Sequence, residues 1–147
     1  MKILLAVDGS PISTRATKFA IKLVRELAEP SELVLFHADP PLLQAAAIKL
    51  GVEAVQRYHA ENNQFAIKSA QATLNRAKVT FTEKLVVAEP AEAIVKQAKK
   101  GRFDLIVMGT HGRRGFSHAM LGSDAERVVR ESPVPVLLVR HPESRRS

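Results

Sequence analysis

The sequence predicts an α/β protein, a parallel sheet covered by helices on both faces. Three observations carry that prediction. Short apolar runs alternate with helical patterns in the order β-α-β-α-β-α-β-α-β. Proline and glycine punctuate the alternation, at Asp8-Gly9-Ser10-Pro11, Asp39-Pro40-Pro41, Pro90 and Gly101. A glycine-rich segment from Gly109 to Gly122 lies between an apolar run and a helical pattern. Right-handed crossovers then leave only a few topologies for the strands.

The elements follow in order. Lys2 to Val7 is a buried strand, an apolar run closed by Asp8-Gly9-Ser10. Ser10 suits an N-cap and Pro11 the first helical position. Ile12, Ala16, Phe19, Ala20, Leu23, Val24 and Leu27 recur at helical spacing, so the first helix runs to about Ala28 and stops before Pro30. Glu32 to Ala38 is the second strand, broken by Asp39-Pro40-Pro41. From Leu42 to about Lys78 the pattern is helical, and Gly51 divides it into a short helix and a longer one. Val79 to Val87 is the third strand; the alternation Thr80-Phe81-Thr82-Glu83-Lys84-Leu85 suggests a wetter face, as at a sheet edge. Pro90 opens the next helix, with Ala91, Ile94, Val95 and Ala98 inward and Gly101 as C-cap. Asp104 to Gly109 is the fourth strand. The last helix spans Ser123 to Glu131, and Val134 to Arg140 is the last strand. Residues 1–141 form one domain, and 142–147 are a polar tail.

Composition narrows the function classes. At 147 residues the chain can bury a real core. No apolar run approaches the roughly 18 residues of a membrane helix. An acid ends the N-terminal apolar run too early for a signal peptide. There is no cysteine, hence no disulfide framework and no thiolate metal site. The expectation is a soluble, cytoplasmic protein. The net charge of +7 is compatible with polyanions, but the basic residues are spread over several segments. Aromatics make up 5% of the chain, too few for base-stacking platforms, so nucleic acid is not the expected partner.

Four of the seven glycines fall between Gly109 and Gly122. Glycine allows backbone N–H groups close to an anion, and a helix N-terminus adds orphan donors and partial positive charge. Arg113 and Arg114 add cations. The chemistry is that of a phosphate cradle. Its spacing, Gly109-x2-Gly112-x9-Gly122-Ser123, is neither of the common nucleotide fingerprints.

That spacing resembles the ATP-binding signature of the universal stress protein family, G-x2-G-x9-G-S/T. Ile3-Leu4-Leu5-Ala6-Val7-Asp8-Gly9-Ser10 looks like the family's first strand with its acidic end. Asp104-Leu105-Ile106-Val107-Met108-Gly109 looks like its fourth, and Pro135-Val136-Leu137-Leu138-Val139-Arg140 like its last. The resemblance covers nearly the whole chain. It implies a three-layer, Rossmann-like fold with five parallel strands in the order 3-2-1-4-5. The switch point then lies between the first and fourth strands, where such sheets bind ligands.

By the same resemblance, the nucleotide contacts are Ala6, Asp8, Ala38, Met108, Gly109, His111, Gly112, Arg113, Arg114, Gly115, Gly122, Ser123 and Asp124. The backbones of Ala6 and Ala38 serve the adenine side, flanked by His37 and Asp39. Asp8 touches the ribose or a Mg²⁺ on the phosphates, or is only a helix N-terminal acid. Ser123 bonds a phosphate, or caps its own helix in the box Ser123-x-x-Glu126. Asp124 departs from the family, which commonly has an apolar residue there. A carboxylate suits the helix dipole but repels a triphosphate. Ala88 also departs, standing where the family often has Gly. No pair of the five histidines has metal-ligand spacing.

The resemblance implies an ATP-binding regulatory protein of the stress response, a homodimer through residues 134–140. Two alternatives stand beside it: a slow ATP hydrolase, and a nucleotide-independent stress protein acting through protein contacts. No base is poised by a second group and there is no P-loop lysine, so any hydrolysis should be slow.

Overall fold

The computed structural model of the chain describes residues 1–111 and 121–141. The first apolar run forms β1 (Lys2–Ala6), and α1 (Pro11–Glu26) follows. Ser10 caps α1 by accepting the Ser13 N–H, and Pro11 takes the first helical turn, where its missing N–H costs nothing. Ile12, Ala16, Ala20 and Ile21 face inward, whereas Phe19 is exposed. The helix ends two residues short of the expected Ala28, because Leu27 is already extended.

β2 (Glu32–Asp39) is buried along nearly its whole length and reaches one residue past the expected end. The long helical stretch divides at Gly51, as expected, into α2 (Gln44–Leu50) and α3 (Val52–Arg76). Gly51 takes φ +85°, a region open mainly to glycine. After α3 the chain turns through Lys78 at φ 57°, with Lys78 N–H on the Asn75 carbonyl and Val79 N–H on the Leu74 carbonyl. That is a Schellman motif with lysine in the left-handed position.

β3 (Thr82–Val87) starts three residues later than the expected Val79. Val79 and Phe81 still pack inward, against the α1 and α3 layer. α4 (Pro90–Lys100) buries Ala91, Ala93, Ile94 and Ala98; Val95 is only half-buried. Gly101 is its C-cap as expected, but at φ −83°, and the left-handed residue is Arg102 at φ 53°. Gly101 is needed for space: a Cβ there would lie 2.5 Å from the Phe103 ring. β4 (Leu105–Gly109), α5 (Ser123–Glu131) and β5 (Val136–Val139) complete the described fold.

The five strands form one parallel sheet in the order β3-β2-β1-β4-β5. Leu4 sits between Val34 and Ile106 in register. Strand alternation sorts the core into two layers. Leu4, Ala6, Val34, Phe36, Ala38, Ile106 and Met108 face α4 and α5. Ile3, Leu5, Val7, Leu33, Leu35 and Val107 face α1 and α3. Each fully buried Leu, Ile or Phe of these layers contributes about 1.5–3 kcal/mol relative to exposure. The β3 edge is blunted by exposed Glu83 and Lys84, and Gln71 of α3 donates a hydrogen bond to Glu83. Among the described residues, no helix is long and apolar enough to cross a membrane.

Candidate functional site

β1 and β4 lie side by side, yet their following chains leave toward opposite layers, α1 and α5. That divergence opens a crevice at their carboxyl ends. On the β1 side, Gly9 turns the chain at φ 83°. Asp8 Oδ1 accepts the Ser10 N–H at 2.9 Å and the Ser13 hydroxyl at 2.6 Å. Ser13 Oγ in turn accepts the Asp8 N–H at 3.0 Å. Asp8 therefore helps build the capped start of α1, at the mouth of the crevice.

On the β4 side, Met108 is buried and Gly109 ends the strand against α1. Thr110 is buried; its N–H donates to the Val139 carbonyl at 3.0 Å, tying the loop to β5. His111 Nδ1 lies 3.0 Å from Thr110 Oγ1. Gly112, Arg113, Arg114 and Gly115 lie outside the described residues. The chain re-enters the described structure at Leu121, and the Gly122 N–H donates to the Thr110 carbonyl at 2.7 Å. This bond closes the loop at its base. It also commits the Gly122 N–H, so any donor that α5 offers to an anion must come from the turn beyond.

That turn departs from one expectation. The N-cap of α5 is Gly122, not Ser123, and the Ser123-x-x-Glu126 capping box does not form. Glu126 N–H bonds the Gly122 carbonyl, and the Glu126 side chain reaches toward Arg130 instead. Shifted by one residue into the helix, Ser123 cannot reach back as a cap. α5 thus begins without a side-chain cap, whereas α1 has Ser10. Its first-turn N–H groups are the orphan donors of a helix N-terminus.

Asp124, half-buried in this first turn, has its carboxyl pushed above the ordinary range. Burial is the main cause. Hydrogen bonding with the Ala91 backbone favours the charge, and the negative charge of Asp8 opposes it.

Ala6 and Ala38 both turn their methyl groups into the α4 and α5 layer, leaving the backbone at the strand ends. The end of β2 is held from three sides. His37 Nδ1 lies 2.6 Å from the Val7 carbonyl. The Asp39 carbonyl accepts the Ala88 N–H at 3.0 Å. The Asp39 carboxylate meets His59 Nδ1 at 2.5 Å and Asn62 Nδ2 at 3.1 Å, both from α3. Asp39 and His59 are buried together. The sequence reading did not join His59 to the site. The legible signal was His59-x2-Asn62 on one helical face opposite an acid at a strand end. Among the described residues, no three His, Cys, Asp or Glu side chains gather as a metal site.

Comparison with known proteins gives this geometry its family. The family model described as "Universal stress protein family" matches residues 1–140. A universal stress protein of Thermus aquaticus is 36% identical over 138 residues, covering 94% of this chain and 97% of its own. The solved structure of MJ0577, a universal stress protein of Methanocaldococcus jannaschii, superposes with TM-score 0.80 at 26% identity, covering 97% of each chain. A universal stress protein solved in complex with cAMP superposes with TM-score 0.71 at 25% identity, covering 97% of this chain and 98% of its own. A strand-end crevice in a 3-2-1-4-5 sheet and a family match over nearly all its length together show that this chain belongs to the universal stress protein family.

Proposed function

We propose that the protein binds an adenine nucleotide, ATP, in the crevice between the ends of β1 and β4, and acts as a nucleotide-dependent regulator in the stress response. The observation that carries this reading is the first turn of α5, without a side-chain cap among the described residues, at the switch point of the sheet. Orphan N–H donors and the helix dipole there suit phosphate. The cAMP complex of a family member supports an adenine nucleotide as the class of ligand.

In this reading the backbones of Ala6 and Ala38 receive the base, and Ser123 and the α5 N-terminus receive phosphate. Gly109, Gly112, Gly115 and Gly122 let the loop approach closely, Arg113, Arg114 and His111 add donors, and Met108 lines the floor. Asp8 is the residue that would hold a Mg²⁺ carried by the phosphates. That ion would supply charge neutralisation beside two carboxylates, Asp8 and Asp124. The protein works in the cytoplasm as a single-domain homodimer, residues 1–141, joined through residues 134–140 at β5, and passes its nucleotide state to a regulatory partner.

Mass spectrometry of nucleotide released from the purified protein, with equilibrium dialysis against ATP, tests the reading. Co-purified adenine nucleotide or saturable ATP binding is expected. A folded protein that neither carries nor binds an adenine nucleotide refutes it.

A further inference from the structure

β2 changes character toward its carboxyl end. On the side of α1 and α3 it presents Leu33 and Leu35, both buried. Strand alternation continues that side through His37 and Asp39, which are buried as well. Buried His59 of α3 meets Asp39 there. Two imidazoles and a carboxylate cost desolvation that leucines would not, and in return their bonds fix directions that apolar packing leaves loose.

Those bonds act on either side of Ala38. The Phe36 carbonyl accepts the Val7 N–H at 3.0 Å, on the β1 side, and the Asp39 carbonyl accepts the Ala88 N–H at 3.0 Å, on the β3 side. Backbone groups alternate along a strand, so the N–H and C=O of Ala38 face the β1 side, as those of Phe36 do. A parallel ladder would continue there with the Ala38 N–H on the Val7 carbonyl. It stops one rung earlier, at Ala6 and Phe36. His37 Nδ1 lies 2.6 Å from the Val7 carbonyl instead. A carbonyl only accepts, so His37 donates from Nδ1 and occupies the acceptor of the next rung. Beyond Ala38, the Asp39 carboxylate is held from α3 by His59 Nδ1 at 2.5 Å and Asn62 Nδ2 at 3.1 Å. Ala38 thus stands where the ladder opens, between two neighbours whose side chains are fixed.

We propose that His37 and the Asp39–His59 pair are positioning residues that hold the Ala38 N–H and C=O for the edge of the base, and so set which base the crevice accepts. This rests on the nucleotide reading above. An N–H beside a C=O matches adenine, which offers its N1 acceptor beside the N6 amino donor. Guanine offers the reverse, an N1–H donor beside the O6 acceptor. Without His37, the Val7 carbonyl can take the Ala38 N–H and close the ladder. Without His59, the Asp39 side chain loses its buried anchor and the end of β2 can turn.

Equilibrium dialysis of ATP and GTP against wild type, His37→Leu, His59→Leu and His59→Asn tests the proposal. Wild type should prefer ATP to GTP. His37→Leu and His59→Leu should each weaken ATP about tenfold, the order of one lost hydrogen bond, while GTP keeps its wild-type affinity. His59→Asn puts an amide donor near the Nδ1 position and should recover most of the preference for ATP. If His59→Leu loses its circular dichroism spectrum, Asn62→Leu removes the other donor to Asp39, and the same selective loss of ATP is expected. Folded variants that keep the wild-type preference overturn the proposal. So do variants in which ATP and GTP weaken together, which is what a merely structural role gives. If wild type binds ATP without preferring it to GTP, the positioning role falls and the nucleotide reading stands. If wild type binds no ATP, both readings fall.

Discussion

Ile12 of α1 occupies the space that a side chain on Gly109 would need. A Cβ at Gly109 would lie 2.0 Å from Ile12 Cγ2. The first glycine of the G-x2-G-x9-G-S/T pattern therefore has a packing reason independent of any ligand. It lets the end of β4 sit against the start of α1, and so sets the width of the crevice. Ile12 is buried and β-branched, so it has little freedom to move aside. Gly109→Ala should destabilise the fold by about 1–3 kcal/mol, the usual cost of overpacking. Urea unfolding checks this, and Ile12→Ala in the same chain should recover part of the loss. A variant as stable as the wild type would show that the contact yields easily.

The same relationship explains what was legible in the sequence. The fold class followed from the alternation of runs and the sheet order from the family resemblance alone, and the structure has both. Pro11, Gly51 and Pro90 marked real element boundaries because each acts on its own backbone. The errors arose where tertiary contacts decide. Val79 and Phe81 look like strand residues because they are apolar and pack partly buried against the core, but they lie before the ladder begins. Ser123 looks like an N-cap from its spacing to Glu126, but Gly122 holds that place and Ser123 is the first residue of the helix, where the helix was expected to start. The Asp39–His59 pair joins positions 20 residues apart across two elements. Only the spacing His59-x2-Asn62 on one helix hints at it.

Asp124 gives a pH-dependent prediction. Its carboxyl is raised above the ordinary range, chiefly by burial. Folding therefore favours its protonated form. That contribution is fully present below the ordinary carboxylate pKa and is lost as pH rises through the raised one. At neutral pH the ionised group weighs against the fold. Asp124→Asn should be more stable than wild type at neutral pH, with the difference shrinking toward about pH 4. Denaturation midpoints at the two pH values decide it. A difference that grows on acidification would reverse the sign of the argument. The same charge stands in the first turn of α5, where phosphate is proposed to bind, so Asp124→Val should tighten ATP by about 0.3–1 kcal/mol. Weaker ATP binding in that variant would mean that the carboxylate helps, through a metal.

Gly122 should separate binding from folding. Its φ of −63° and ψ of 157° are open to any residue, and its N–H bond to Thr110 does not depend on the side chain. Gly122→Val should therefore fold, while the added bulk at the head of α5 blocks phosphate. Isothermal titration should find ATP binding lost in a variant with unchanged circular dichroism. Unchanged affinity would remove the phosphate-loop reading.

The β5 edge carries the assembly prediction, and the structure now supplies its register. β5 pairs with β4 on one side, and its other side is the end of the sheet. The Pro135 and Val139 carbonyls accept from Ile106 and Thr110 of the β4 side. Alternation along a parallel strand then turns the N–H groups of Val136 and Leu138 toward the open edge. Val136, Leu137, Leu138 and Val139 are all only half-buried, and none is charged. An apolar edge without charge is a template for pairing, and a two-fold axis lets it pair with itself. Leu138→Pro removes one outward N–H while leaving every β4 bond in place, so the protomer should keep its stability. Light scattering at micromolar concentration should show a wild-type dimer and a weakened or monomeric Leu138→Pro. A wild type that is monomeric there, with and without ATP, would refute a dimer built on this strand. A Leu138→Pro that dimerises as tightly as wild type would place the interface elsewhere.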